Sequence, residues 1–190
     1  LKLNLKKRGV DSILTREPGG TNSAESIRSL ILKDYFNKKK QEKFDIYTDT
    51  LLYLAARNEH IKNKIKPALT RKRIVNCDRF VDSTLAYQGY GKKVNKNFIE
   101  NIHRFILQGI KPNITFVLKV SSKSSKLRLK KRKIRNRYDN FPQSFYTKAQ
   151  NSFLKIARNK KNYFVLDSSL NNKDLEKKIF VIVKKYLKLK

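Results

Sequence analysis

An α/β protein built on a parallel sheet is the fold class that this sequence predicts, and three observations point to it. Short apolar runs of strand type recur at Ser12 to Leu14, Arg73 to Cys77, Ile114 to Val120 and Tyr163 to Leu166. Longer stretches with helical spacing separate them, the alternation expected when parallel strands are joined by crossover helices. Two of the runs end in a carboxylate beside an arginine, Arg16 with Glu17 and Asp78 with Arg79. Ligands of open parallel sheets gather at the carboxyl ends of strands, so these pairs are better site candidates than charges elsewhere.

Taken in order, Val10 to Leu14 lead into TREPGGT, Thr15 to Thr21. A strand that ends in a charged pair and a Pro-Gly-Gly turn resembles the lip of a phosphate site. Helices are predicted over Asn22 to Lys33, Thr48 to Ile65, Asn95 to Leu107, Ser144 to Ala157 and Lys173 to Lys188. In the last, Leu175, Ile179, Ile182, Val183 and Tyr186 share one face, which a core helix explains. In the second, Tyr53 and Arg57 lie one turn apart. Such a ring can stack on a planar base while the guanidinium bonds the base's carbonyl edge; the plainer account is a core aromatic and an exposed arginine paired with an acid. DSTLAYQGYG brings Thr84, Tyr87 and Gln88 in front of a Gly-Tyr-Gly turn. Those groups suit a base edge and a sugar, and equally suit a turn. The segment SSKSSKLRLKKRKIRNRYDNFP carries seven arginines and lysines between Arg128 and Arg137. It reads as a solvated basic loop or as a lid that closes over phosphates.

The 190 residues fit one domain with a real core, and no apolar run approaches the length of a membrane span, so a soluble chain is expected. The net charge of +31 points first to nucleic acid or an anionic surface. Lysines are spread over every segment, however, so a composition-wide enrichment accounts for the charge, with a weak preference for polyanions remaining. With Cys77 the single cysteine no internal disulfide can form, and a reducing, cytoplasmic setting is the default. Cys77 itself reads as a small buried packing residue. His60 and His103 are the only histidines; they give no metal-ligand spacing, and no Ser/His/Asp or Cys/His set has support. What remains is a rim of two carboxylates and two guanidiniums. Arginine grips phosphate through parallel hydrogen bonds and a carboxylate can hold Mg²⁺, a combination suited to phosphoryl transfer. Either pair alone would read as a rim salt bridge; two at two strand ends favour the site. The chain begins with Leu and contains no Met, and is read as a fragment.

TREPGGT followed by ESIR, LLYLAAR, CDRFVDSTLAYQGYG and NRYDNF appear in the order and near the spacings of bacterial thymidylate kinases. The sequence resembles that family over essentially its whole length, with the DR...S.LAYQG stretch the most specific part and REPGG alone a weak one. The resemblance implies a P-loop NTPase-like three-layer α/β fold, a single domain over residues 1–190 with a basic lid at about 123–142, and transfer of the γ-phosphate of ATP to dTMP with Mg²⁺. It implies that Tyr53 stacks on thymine, Arg57 contacts a base carbonyl, Thr84 and Gln88 read the base, and Tyr87 lies beside the deoxyribose. Arg28 would line the same pocket and Arg79 would hold the nucleotide's phosphate. Glu17 and Asp78 match acidic positions near the sugar, phosphate and Mg²⁺, and Arg132, Arg135 and Arg137 would supply lid cations to the transferring phosphate.

One departure stands out. Family members open with a strand running into a G-x-x-x-x-G-K-[ST] loop that cradles the ATP phosphates, and the glycines here, at 9, 19, 20, 89, 91 and 109, never give that spacing. On the resemblance, residue 1 falls in the helix that follows the loop. The first central strand and the loop are therefore expected to be missing, with neighbouring backbone groups unpaired and the chain by itself inactive. Family members are commonly homodimers, and neither a specific nucleic-acid partner nor a membrane is implied. Two alternatives stand beside this reading: a related nucleoside or deoxynucleoside monophosphate kinase with another base preference, and a basic nucleic-acid-binding protein. The second leaves the paired strand-end motifs unexplained.

Overall fold

The computed structural model describes residues 1–32, 44–130, 141–169 and 171–189, the side chains of 129 and 130 excepted. In chain order the elements are α1 (Lys2–Lys6), β1 (Ser12–Arg16), α2 (Asn22–Leu32), α3 (Ile46–His60) with a π-helical extension (Ile61–Ile65), and α4 (Lys66–Thr70). They continue with β2 (Ile74–Asp78), α5 (Val81–Thr84) running into a second π-helical stretch (Leu85–Gly91), and α6 (Lys96–Leu107). The last part holds β3 (Thr115–Lys119), α7 (Ser122–Lys130), α8 (Gln143–Ala157), β4 (Tyr163–Asp167) and α9 (Asn172–Tyr186).

The strands fall where the apolar runs predict them, and they pair in parallel. Ser12 to Arg16 of β1 lie opposite Ile74 to Asp78 of β2, and Thr115 to Lys119 of β3 opposite Tyr163 to Asp167 of β4. The two pairs remain separate two-stranded sheets, with no ladder joining them among the described residues. Residues 74 to 77 of β2 are only half-buried, whereas a strand inside a parallel sheet is usually covered on both faces. α8 joins the halves: it packs on the 85–91 stretch and reaches both β3 and β4. Phe145 and Phe153 of α8 each bring their ring centroids to 5.9 Å from Tyr87.

Helix starts follow local chemistry. Asp45 caps α3 by accepting from the Tyr47 amide at 2.7 Å, and Asn95 caps α6 by accepting from Asn97 at 2.9 Å and Phe98 at 3.3 Å. α6 then stops at Gln108, whose backbone is left-handed at φ 47°, just before Gly109. The stripe predicted on the last helix is present in α9: Val183 is buried and Leu175, Ile179 and Ile182 are half-buried, while Tyr186 turns outward. One expectation changes. LAYQGYG is π-helical rather than a turn, because Gly89 and Gly91 sit within helical hydrogen bonding against α6 and α8; a Cβ on Gly91 would meet Phe145 at 2.9 Å. The basic segment is helical as far as Lys130, and its remainder lies outside the described residues.

Candidate active site

The ladder of β1 and β2 runs one bond past the strands, from the Glu17 amide to the Asp78 carbonyl at 2.9 Å. That bond sets the two charged pairs side by side, as the strand ends predicted. Next the chain must turn sharply. Gly19 and Gly20 take φ 130° and 92°, and a Cβ on Gly20 would lie 2.5 Å from Thr15 Oγ1 and 2.6 Å from His60 Cδ2. Glycine is needed there for both its conformation and its lack of bulk. Thr21 then accepts from the Ala24 amide at 3.2 Å, starting α2, and the Glu25 carboxylate accepts from the Gly20 amide at 3.0 Å and from Arg16 at 3.2 Å. Burial works against it, but these bonds from Gly20 and Arg16 hold the Glu25 carboxyl below its usual range.

Above this turn is a cleft lined by Glu17, Pro18, Tyr53, Arg57, Arg79, Ser83, Thr84 and Gln88. Six residues singled out from the sequence therefore converge on one cavity. Tyr87 lies against them, its ring centroid 4.6 Å below the Arg79 guanidinium. Arg79 holds a left-handed backbone at φ 68°, an unfavourable conformation for a non-glycine residue that aims its side chain at the cleft mouth. Arg28 donates to the Pro18 carbonyl at 2.8 Å. Burial, then the neighbouring Arg16, and after the opposing pull of Glu25 also Arg79, hold the Arg28 guanidinium below its ordinary pKa. Gathered guanidiniums of this kind favour a phosphate between them.

The floor is a buried polar network. Arg57, 3% exposed, donates through Nε to Glu17 Oε2 at 2.7 Å, through Nη1 to Thr84 Oγ1 at 2.9 Å and His103 Nε2 at 2.6 Å, and through Nη2 to the Phe80 carbonyl at 3.1 Å. His60, fully enclosed, sets Nδ1 3.1 Å from Glu17 Oε1 and Nε2 2.6 Å from Thr15 Oγ1. An ionised carboxylate can only accept, so Nδ1 donates. Burial first, and the adjacent Arg57 second, push the His103 pKa down to about 3, leaving a neutral ring. Arg57 is thus paired with an acid, as its plainer sequence account had it, but inside the protein rather than on its surface.

Both oxygens of Glu17 are engaged in this network, whereas Asp78 is exposed and in no ion pair among the described residues. Cys77 is half-buried, its thiol donating to the Arg79 carbonyl at 3.1 Å. Burial and the nearby carboxylates of Glu17 and Asp78 push that thiol up, which leaves it protonated and unreactive. No group of three His, Cys, Asp or Glu gathers to hold a metal among the described residues. Arg132, Arg135 and Arg137 lie outside the described residues. Sequence reasoning missed the parts played by His60, His103 and Ser83. For His103 a signal existed: it lies four residues after the buried Ile99 on α6, a polar side chain on the inward face.

The parallel strand ends, the guanidinium-ringed mouth and the polar pocket beneath define a phosphotransferase of the nucleotide kinase class. A family profile described as thymidylate kinase matches residues 1–179. A thymidylate kinase of Geobacillus sp. (strain WCH70) is 42% identical over 168 residues, which cover 87% of this chain and 78% of the relative. One of Prochlorococcus marinus (strain MIT 9312) is 40% identical over 178 residues, 94% of this chain and 81% of the relative. The crystal structure of thymidylate kinase from Ehrlichia chaffeensis superposes with a TM-score of 0.66 at 31% identity, covering 90% of this chain and 78% of that one. The chain belongs to the thymidylate kinase family.

Proposed function

We propose that the cleft binds dTMP as the acceptor of the γ-phosphate of ATP, the product being dTDP. The observation that carries this reading is Gln88. It is 2% exposed in the cleft wall, and its amide Nε2 has no hydrogen-bond partner among the described residues. A buried amide without a partner costs roughly 1 to 3 kcal/mol, so such a group is retained where a ligand completes it. A pyrimidine edge offers the alternating acceptor and donor that a glutamine amide can bracket, while the Tyr53 ring supplies a stacking face and Arg57 an N–H for a carbonyl. Tyr87, under Arg79, would sit beside the deoxyribose.

Arg79, with Arg28 behind it, holds the acceptor phosphate in line, and no covalent intermediate is needed. Mg²⁺ bound with ATP would supply charge neutralisation at the transferring phosphate. Asp78 fits it better than Glu17, since Mg²⁺ asks for one or two accessible carboxylates and the Glu17 oxygens are already taken. Arg132, Arg135 and Arg137 are assigned to the same neutralisation from the lid. No helix among the described residues is long and apolar enough to cross a membrane, and a cytoplasmic enzyme acting in dTTP synthesis agrees with that. We also assign a homodimer, with the α6 face around Phe105, 80% exposed beside Asn101 and Arg104, in the interface. Sedimentation of a Phe105→Glu variant as the same species as wild type would contradict that assignment.

The test is a coupled assay with ATP, Mg²⁺ and a panel of monophosphates. Without a G-x-x-x-x-G-K-[ST] loop in its sequence, the 190-residue chain is expected to form no dTDP. Joined behind a strand and such a loop, it is expected to phosphorylate dTMP in preference to the other nucleotides, and Arg79→Ala is expected to abolish turnover. Better use of UMP or dCMP would overturn the base assignment, and near-normal turnover in Arg79→Ala the phosphate assignment.

A further inference from the structure

We infer that His103 is a positioning residue for Arg57: by taking one guanidinium N–H it leaves Arg57 a single, fixed N–H donor for a ligand in the cleft. The inference rests on reading the cleft as the thymine pocket. A guanidinium has five N–H groups. Four are committed, to Glu17 through Nε, to Thr84 and His103 through Nη1, and to the Phe80 carbonyl through one hydrogen of Nη2. The fifth, also on Nη2, has no partner among the described residues, and Arg57 lines the cleft.

The four acceptors come from different parts of the chain. Glu17 follows β1, Phe80 follows β2, Thr84 ends α5 and His103 lies on α6, while Arg57 itself is on α3. The planar fork is therefore fixed in position and in rotation. A planar donor held this way fits a carbonyl at one angle, whereas a freely turning arginine would accept many. For His103 to accept, Nε2 must carry the lone pair and Nδ1 the proton. The burial of the ring, 4% exposed, and the cation 2.6 Å away favour that neutral form. Thr84 and Glu17 reach the ligand pocket themselves; His103 is absent from the cleft lining and acts through Arg57.

Titrating dTMP and deoxyribose 5-phosphate separately into the wild-type 190-residue chain and its variants tests this, because the second probe lacks a base. His103→Ala is expected to weaken dTMP binding about tenfold and leave deoxyribose 5-phosphate binding unchanged, while His103→Gln, which restores an acceptor, recovers part of the loss. Equal weakening of both probes, or of neither, would overturn the positioning role. If the wild type does not favour dTMP over deoxyribose 5-phosphate, the thymine reading itself fails and the inference with it. Should His103→Ala not fold, the imidazole ¹⁵N spectrum of the wild type decides. It is expected to show His103 unprotonated at Nε2 and protonated at Nδ1 throughout the range where free histidine titrates; a ring that gains charge at the ordinary histidine pKa would overturn the inference.

Discussion

Gln88 and His103 show how much of the pocket's chemistry sits in groups that folding alone does not require. Replacing Gln88 by leucine removes the cost of burying an unpaired amide, so Gln88→Leu is expected to be at least as stable as the wild type, by roughly 1 kcal/mol. The same change should weaken dTMP binding at least tenfold, and thermal melts alongside titrations would check both halves. His103 carries a pH signature. Its folded pKa, about 3, lies below the ordinary 6.5, so in that window the unfolded chain takes up a proton that the folded chain refuses. Its contribution to stability is full above 6.5 and falls as pH drops toward 3, by up to about 1.4 kcal/mol per unit. Urea unfolding of wild type and His103→Gln across that window should show the wild type losing stability faster as pH falls. Parallel curves would contradict the neutral buried ring. At this scale the sequence was informative for charged side chains next to strand ends and silent about Thr15, Glu17 and His60 meeting. Those contacts span more than forty residues, and no local pattern records them.

The TREPGGT turn is the element on which the site depends most, since it places Glu17, Pro18 and the start of α2 together. Gly20→Ala would force a methyl into Thr15 and His60 at 2.5 to 2.7 Å while imposing a side chain on a left-handed backbone. A loss of about 2 to 4 kcal/mol is expected, together with loss of dTMP binding. Gly89→Ala, with its nearest neighbour at 3.6 Å inside a helical stretch, should be tolerated or slightly stabilising; circular dichroism melts of the pair separate the two cases. This contrast also explains what was legible. Strands announced themselves as short apolar runs stopped by charge, and Asn95 marked a helix start as capping residues do, whereas α3 begins at Ile46 behind its Asp45 cap, ahead of the start expected at Thr48. The 85–91 stretch did not announce itself, because Gly-Tyr-Gly carries turn chemistry locally. Only its packing against α6 and α8 keeps it helical.

Among the described residues, two parallel strand pairs held together by α8 form the scaffold, and the rim of β1 and β2 carries the candidate site. The single predicted sheet is present as two pieces because periodicity identifies strands but says nothing about which edges find a partner. With a net charge of +31, the chain sits in its own attractive field for phosphates, so raising salt should weaken dTMP binding and weaken it less in Arg79→Ala. The most direct test of the central claim is calorimetric titration of the 190-residue chain with dTMP, dCMP, UMP and deoxyribose 5-phosphate at fixed salt. The account predicts saturable binding with dTMP the tightest of the four. Equal affinities for all of them, or no binding of dTMP, would contradict it.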